Sequence, residues 1–215
     1  ANKLSKPLLI FEPITIDYPM ASIRLHKFEI EGIKDIQKKI KNSKAFYFPY
    51  VEESKGVSDK LLFHLAKDAA VVVTDDYPTY FVPQMTAEAK GNINTTYELV
   101  DSNGILPIRI AEKEYVRAHD FRRFMHKNIE DFLVEFPLES PLDYLNIRFD
   151  QKILKSVIGK YNLVDFNEIN INKFLENLNV DKSVEVSDIV GGYDAAKSRL
   201  DYFTKNGFND YAKRR

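Results

Sequence analysis

The sequence contains no cysteine and no tryptophan among its 215 residues. Without cysteine the chain has no disulfide framework, no thiolate metal site and no cysteine nucleophile, a composition that fits a reducing cytoplasm. It also lacks an excess of either charge, since 31 Lys and Arg residues stand against 32 Asp and Glu residues. A nearly neutral chain has no overall field that draws it to nucleic acid or to an anionic membrane. Any contact with DNA therefore requires a local patch.

Long apolar runs are missing as well. No run approaches the roughly 18 residues that a membrane-spanning helix requires, and residues 1–10 lack the charged head and cleavage site of a signal peptide. We therefore expect a cytoplasmic protein without membrane contact. Hydrophobic residues make up 44% of the chain and aromatic residues 13%, which is enough for a core and excludes wholesale disorder.

Motifs of the common nucleotide-binding, hydrolase, zinc and kinase mechanisms are also missing: the sequence has no GxGxxG, GxxxxGK[ST], GxSxG or HExxH. The four histidines, His26, His64, His119 and His126, lie on or beside predicted helices and show no repeated metal-ligand spacing. We interpret them as structural or surface residues. The sequence predicts no catalytic residue and no metal site.

The apolar runs that are present alternate between two periodicities. Short branched runs predict strands at 7–13, 45–51, 69–74 and 95–100. Apolar residues at helical spacing predict helices at 22–42, 58–69 and 82–90. The alternation predicts an α/β fold, a three-layer sandwich with a Rossmann-like parallel sheet. The unbroken valine run at 71–73 predicts a central strand buried on both faces.

Single residues mark where these elements should begin or end. Ser58 and Asp120 are predicted helix N-caps, and Gly91 is a predicted left-handed terminator. Pro49 cannot donate to a ladder, so we expect it near a strand end or at a sheet edge.

Beyond residue 118 the alternation stops. One amphipathic helix begins near Asp120, residues 136–190 predict a mostly helical connector, and a last helix is expected at 192–206. The predicted domains are residues 1–135, the α/β unit; residues 136–190, the connector; and residues 191–215.

Ligands of open parallel sheets bind at the carboxyl ends of the strands. Two such ends carry polar residues, which we take as candidate cofactor-binding residues: Asp75, Asp76, Tyr77, Asp101, Ser102 and Asn103. The aspartates suit a ribose hydroxyl or a cation, and Ser102 and Asn103 suit a ring or a phosphate. The alternative is that the aspartates only cap a helix and start a turn. A basic cluster, Arg117, Arg122, Arg123 and Lys127, suits phosphates or a solvated helix face.

Three successive segments resemble landmarks of the deoxyribodipyrimidine photolyase-like proteins, nearest to the class II branch. They are residues 71–78 (VVVTDDYP) with Pro83, residues 100–109 (VDSNGILPIR) and residues 121–128 (FRRFMHKN). Further similar segments keep the expected order, so the resemblance spans nearly the whole chain: DYP at 17–19, RLHKF at 24–28, YFPYVE at 47–52, GG at 191–192, AA at 195–196, RL at 199–200, Phe203 and YAKRR at 211–215.

The resemblance implies that the intact protein binds FAD and uses light-driven electron transfer to split cyclobutane pyrimidine dimers in DNA. This part of it would be the α/β antenna domain, which in some relatives holds a light-harvesting chromophore and in others is empty. Relatives have an additional strand and helix before the segment matching residues 7–13, and a large helical domain after the segment matching residue 215. We therefore expect residues 191–215 to begin a truncated flavin-binding domain, and FAD not to be held by this chain. No catalytic residue is carried over, and the chain lacks the tryptophans of the usual electron relay.

Two other hypotheses fit the same residues. One is a stand-alone Rossmann-like module that binds a nucleotide or a protein partner. The other is a photoreceptor relative without repair activity.

Overall fold

The structure of the chain is a computed structural model that describes residues 1–134 and 136–214. Within these residues four strands alternate with helices, and both strand pairs are parallel. The predicted α/β class is therefore confirmed. Glu135, at the predicted end of the first domain, and Arg215 lie outside the described residues.

The first strand pair joins β1 (Leu9–Ile14) to β2 (Phe46–Val51) in parallel, with Leu9 opposite Phe46. Helix α1 (Ile23–Ile40) connects them, and the Ser22 side chain caps it by accepting a hydrogen bond from the Leu25 amide at 3.5 Å. Pro49 lies in β2, which is an edge strand because the sheet has two strands, so its predicted place is confirmed.

The chain divides into two compact units. Unit 1 comprises residues 1–62 and 142–215, and unit 2 comprises residues 63–141. Within unit 1 the helices of the carboxyl-terminal half are α5 (Lys155–Ile158), α6 (Ile171–Glu176), α7 (Tyr193–Asn206) and α8 (Tyr211–Arg214). The predicted domain boundaries fall at other positions and stay a prediction.

The core of unit 1 combines both of its sequence segments. Its buried members are Ile14, Ile30, Ile33, Tyr47, Val51, Phe166, Leu175 and Leu178. The last three come from the predicted connector, and Phe166 has no exposed surface. The connector thus contributes buried apolar area to the fold and is more than a link.

Unit 2 contains β3 (Val71–Asp75), α3 (Val82–Asn92), β4 (Thr96–Val100) and α4 (Ala118–Asn128). β3 and β4 pair in parallel, with Val71 opposite Thr96. They form a separate two-stranded sheet, so β3 is not the buried central strand that its valines predicted. Val73 is 55% exposed, because side chains alternate between the faces of β3 and its face is the less covered one.

Three helix ends differ from the predictions. Helix α2 (Val57–Ala66) already includes Ser58, because the Glu52 carboxylate takes the place of a cap at its first turn. Helix α4 begins at Ala118, since the amides of Asp120 and Phe121 donate to the Arg117 carbonyl. Gly91 lies inside α3 without a positive φ, so it does not end that helix.

The last predicted helix is confirmed as α7, with Gly192 before it at φ 99° and Gly207 after it. Its apolar side is open, with Leu200 60% exposed. Among the helices that the structure describes, none has both the length and the hydropathy needed to cross a bilayer.

Candidate functional site

The two predicted strand ends meet at one edge of the β3–β4 sheet. β3 ends at Asp75 and β4 at Val100, and the Asp76 amide donates to the Val100 carbonyl at 2.8 Å. Parallel pairing brings both carboxyl ends to the same side, as the sequence predicts.

Hydrogen bonds tie the two segments together. Ser102 Oγ donates to Asp75 Oδ1 at 2.6 Å, and Asn103 Nδ2 donates to the Asp76 carbonyl at 2.8 Å. Asp101 Oδ1 accepts from the Asn103 backbone amide at 3.3 Å, which closes the turn that the alternative interpretation predicted. Five of the six predicted residues thus take part in one network of hydrogen bonds at this edge.

The sequence interpretation missed Arg109. Its guanidinium forms a two-pronged contact with the Asp76 carboxylate, from Nε and from Nη2, the latter at 2.7 Å. This hydrogen bonding and the positive charge of Arg109 hold the pKa of the Asp76 carboxyl below its ordinary value. The family resemblance could have pointed to Arg109, because this residue ends the segment 100–109 that carries the resemblance.

Asp101 fixes the position of the segment that carries Arg109. Its Oδ2 accepts from the Ile108 amide at 2.6 Å, and this bond and those from Asn103 lower the pKa of the Asp101 carboxyl despite partial desolvation. Both aspartates therefore stay ionised and engaged with protein groups. This arrangement favours a role in shaping the site over direct coordination of a cation.

A cleft of about 430 Å³ lies between this sheet edge and α3. Its apolar lining consists of Pro78, Pro83, Ala87, Leu99 and Ile108, and its polar lining of Asp76, Tyr77, Thr86, Lys90 and Arg109. Of the predicted site residues, Asp76 and Tyr77 line the cleft, whereas Asp75, Asp101, Ser102 and Asn103 support its edge. Apolar walls with two cations, one carboxylate and two hydroxyls suit a flat ligand that carries a polar or anionic group.

A second polar cluster lies at the carboxyl ends of β1 and β2 in unit 1. The buried Glu52 carboxylate accepts from Thr15 Oγ1 at 2.7 Å, from the Val57 amide at 2.8 Å and from Ser58 Oγ at 3.1 Å. Burial raises the pKa of this carboxyl, but the hydrogen bonds outweigh it and the net shift is downward. The cluster joins both strand ends to the first turn of α2, which is a structural task.

The remaining candidates from the sequence are not among the residues that line the cleft. The basic residues Arg122, Arg123 and Lys127 are exposed on α4. His26 is fully buried, and its Nδ1 lies 3.0 Å from the Ser22 carbonyl oxygen, as expected for a structural histidine.

No family model matches the chain. It is 31% identical over 135 residues to a deoxyribodipyrimidine photo-lyase of Methanothermobacter thermautotrophicus (strain Delta H). The match covers 62% of this chain and spans 29% of the length of that relative. At the level of the family, this similarity supports a photolyase-like relationship for the chain.

Proposed function

We propose that this chain is the antenna-type α/β domain of a deoxyribodipyrimidine photolyase-like flavoprotein of the class II type. Residues 1–135 form that domain, residues 136–190 the connector, and residues 191–215 the start of the helical flavin-binding domain. The intact protein, located in the cytoplasm, binds FAD and repairs cyclobutane pyrimidine dimers in DNA in the light. The chain alone holds no FAD and has no repair activity.

The observation that carries this proposal is the 31% identity to a photo-lyase over 135 residues. The cleft at the β3–β4 edge supports the antenna role, because it lies where open α/β sheets bind their ligands. The proposed ligand is a light-absorbing, flat chromophore whose ring packs on Leu99 and Ile108. Lys90 or Arg109 would then bind its polar end.

The absorbance spectrum of the purified chain tests the antenna role. We expect a band at longer wavelength than the tyrosine absorption, from a pigment retained by the chain. Ala87→Phe places a ring in the cleft and should abolish this band. Glu88→Phe adds the same ring one residue along α3, outside the cleft lining, and should retain it. A chain without any such band, or a band unaffected by Ala87→Phe, contradicts the antenna role.

Two further measurements test the proposal that this chain alone neither holds FAD nor repairs DNA. A flavin band near-stoichiometric with protein contradicts the statement that this chain holds no FAD. Light-dependent loss of dimers from irradiated DNA by the chain alone contradicts its proposed inactivity.

The length of the native open reading frame separates this proposal from a stand-alone binding module. A reading frame that continues beyond residue 215 into an aromatic-rich helical segment agrees with the proposal, and a stop codon there contradicts it. Repair assayed with the product of the full reading frame separates a repair enzyme from a photoreceptor relative.

A further inference from the structure

Helix α4 carries its cationic side chains on one side. The basic face, as we call it here, consists of His119, Arg122, Arg123, His126 and Lys127, and each of them lies three or four residues from another member. Side chains at this spacing are neighbours on a helix surface. With 3.6 residues per turn they occupy an arc of about 140° and a length of about 12 Å. All five are exposed.

The permanent charges of the basic face are not neutralised within the part of the chain that the structure describes. No carboxylate lies within ion-pair distance of Arg122, Arg123 or Lys127 there, whereas His119 Nδ1 lies 3.5 Å from Asp120. Glu130 and Asp131 follow in the next turn, so the basic face ends with α4. Three positive charges are therefore concentrated on one surface of a chain whose overall charge is nearly balanced.

The opposite side of α4 carries aromatic residues that pack within unit 2. The ring centroids of Phe121 and Phe124 lie 5.6 Å and 5.2 Å from that of Tyr115, which anchors the helix within unit 2. A helix that binds a membrane surface needs its apolar side for insertion. Because this side packs on Tyr115, the basic face is suited to a polyanion that is bound by charge.

We propose that the basic face of α4 binds the phosphate backbone of nucleic acid without reading its sequence. One strand of a duplex carries a phosphate about every 3.4 Å along its axis, so a row of about 12 Å spans three to four phosphates. Arg122 and Arg123 supply planar guanidinium groups, which bind phosphate oxygens in pairs. The choice of nucleic acid among polyanions rests on the proposed function.

Fluorescence anisotropy with labelled single-stranded and double-stranded DNA, at several salt concentrations, tests this binding with the full chain. We expect an affinity that falls steeply with salt. The triple variant Arg122→Ala, Arg123→Ala, Lys127→Ala should bind at least about tenfold more weakly at low salt, and its logarithmic salt dependence should be shallower by about two to three. The triple variant Lys38→Ala, Lys41→Ala, Lys60→Ala removes the same charge from exposed sites in unit 1 and should bind as the parent does.

A charge-conserving variant, Arg122→Lys with Arg123→Lys, should retain most of the affinity, and thermal melts should match the parent. If the triple alanine variant fails to melt cooperatively, Arg123→Glu compared with Arg123→Lys decides the question. Equal losses in the unit 1 control, no salt-dependent binding by the parent, or tighter binding to phosphatidylserine vesicles than to DNA would each overturn the inference. The pigment band is measured separately, so failure here and failure of the antenna role are distinguishable.

Discussion

Glu52 shows how a single buried carboxylate organises a strand edge. It has no exposed surface, yet it accepts hydrogen bonds from two hydroxyls and three backbone amides. Two of those amides, from Val57 and Ser58, belong to the first turn of α2 and would otherwise lack intrahelical partners. The residue therefore replaces the serine cap that the sequence indicated.

We expect Glu52→Gln to destabilise the chain by about 2 kcal/mol, because the amide group that replaces one oxygen turns a donor towards donors. Urea unfolding measures this loss, with Glu53→Gln, on the exposed neighbour, as the control. An equal midpoint shift in the two variants contradicts the assignment.

The same residue predicts a pH dependence. Its pKa is lowered in the folded chain, so the stability it contributes is complete above the unfolded pKa of about 4.3 and is lost as pH falls through the folded value. Urea midpoints measured from pH 7 to pH 3 should decline below about pH 4 more in the parent than in Glu52→Gln. Parallel curves for the two proteins would show that this carboxyl does not titrate as proposed.

The ion pair between Arg109 and Asp76 allows a second test at the scale of single residues. Arg109→Ala removes the hydrogen bonds and the charge that lower the Asp76 pKa, so the pKa should rise towards its ordinary value. A carbon-detected NMR titration of the Asp76 carboxyl measures it. Arg117→Ala, which removes an exposed arginine of unit 2 outside the cleft lining, should leave it unchanged.

At the scale of elements, the junction of α1 with α7 depends on glycine. The Gly191 amide donates to Glu31 Oε2 at 2.8 Å, and a Cβ built on Gly191 would lie 2.0 Å from the Phe28 carbonyl oxygen. Beyond this junction the Asp194 amide donates to Asp35 Oδ2 at 3.2 Å, so α1 supplies the cap that the start of α7 lacks.

Gly191→Ala should therefore displace the start of α7 from α1, since backbone has to move to admit the methyl group. Hydrogen exchange at the Asp194 amide should become faster than in the parent. Gly91→Ala is the matched control, because a Cβ there meets no heavy atom within 4 Å and alanine is the better helix former. Unchanged exchange in Gly191→Ala would show that α7 is held by other contacts.

At the scale of the whole molecule, the predicted connector belongs to the core of unit 1. Leu175 is 1% exposed and packs with Ile30 and Ile33 in one cluster. Leu175→Ala should lower the free energy of unfolding of unit 1 by about 2–5 kcal/mol through the cavity it leaves. Glu176→Ala, next to it on the exposed side of α6, should change it little. Similar unfolding curves for the two variants would contradict this packing.

The sequence by itself determined the local elements. Branched runs gave strands close to the predicted positions, and apolar residues at helical spacing within 22–42 indicated α1, because both periodicities are local properties of the chain. It also indicated which residues meet at the β3–β4 edge, since parallel pairing fixes that neighbourhood. It did not indicate Arg109 as the partner of Asp76, because their 33-residue separation is closed only by the fold.

Only the tertiary structure decided which surfaces of these elements are buried and which are exposed. The valines at 71–73 carry the same local signal as a central strand, yet their sheet has two strands and Val73 faces solvent. Conversely, the sequence predicted residues 136–190 as a connector, yet Phe166, Leu175 and Leu178 from it complete the core around α1. Burial depends on which distant surfaces meet in the fold. Hydrophobic periodicity shows which face of an element is apolar, but it does not show which other element that face packs against.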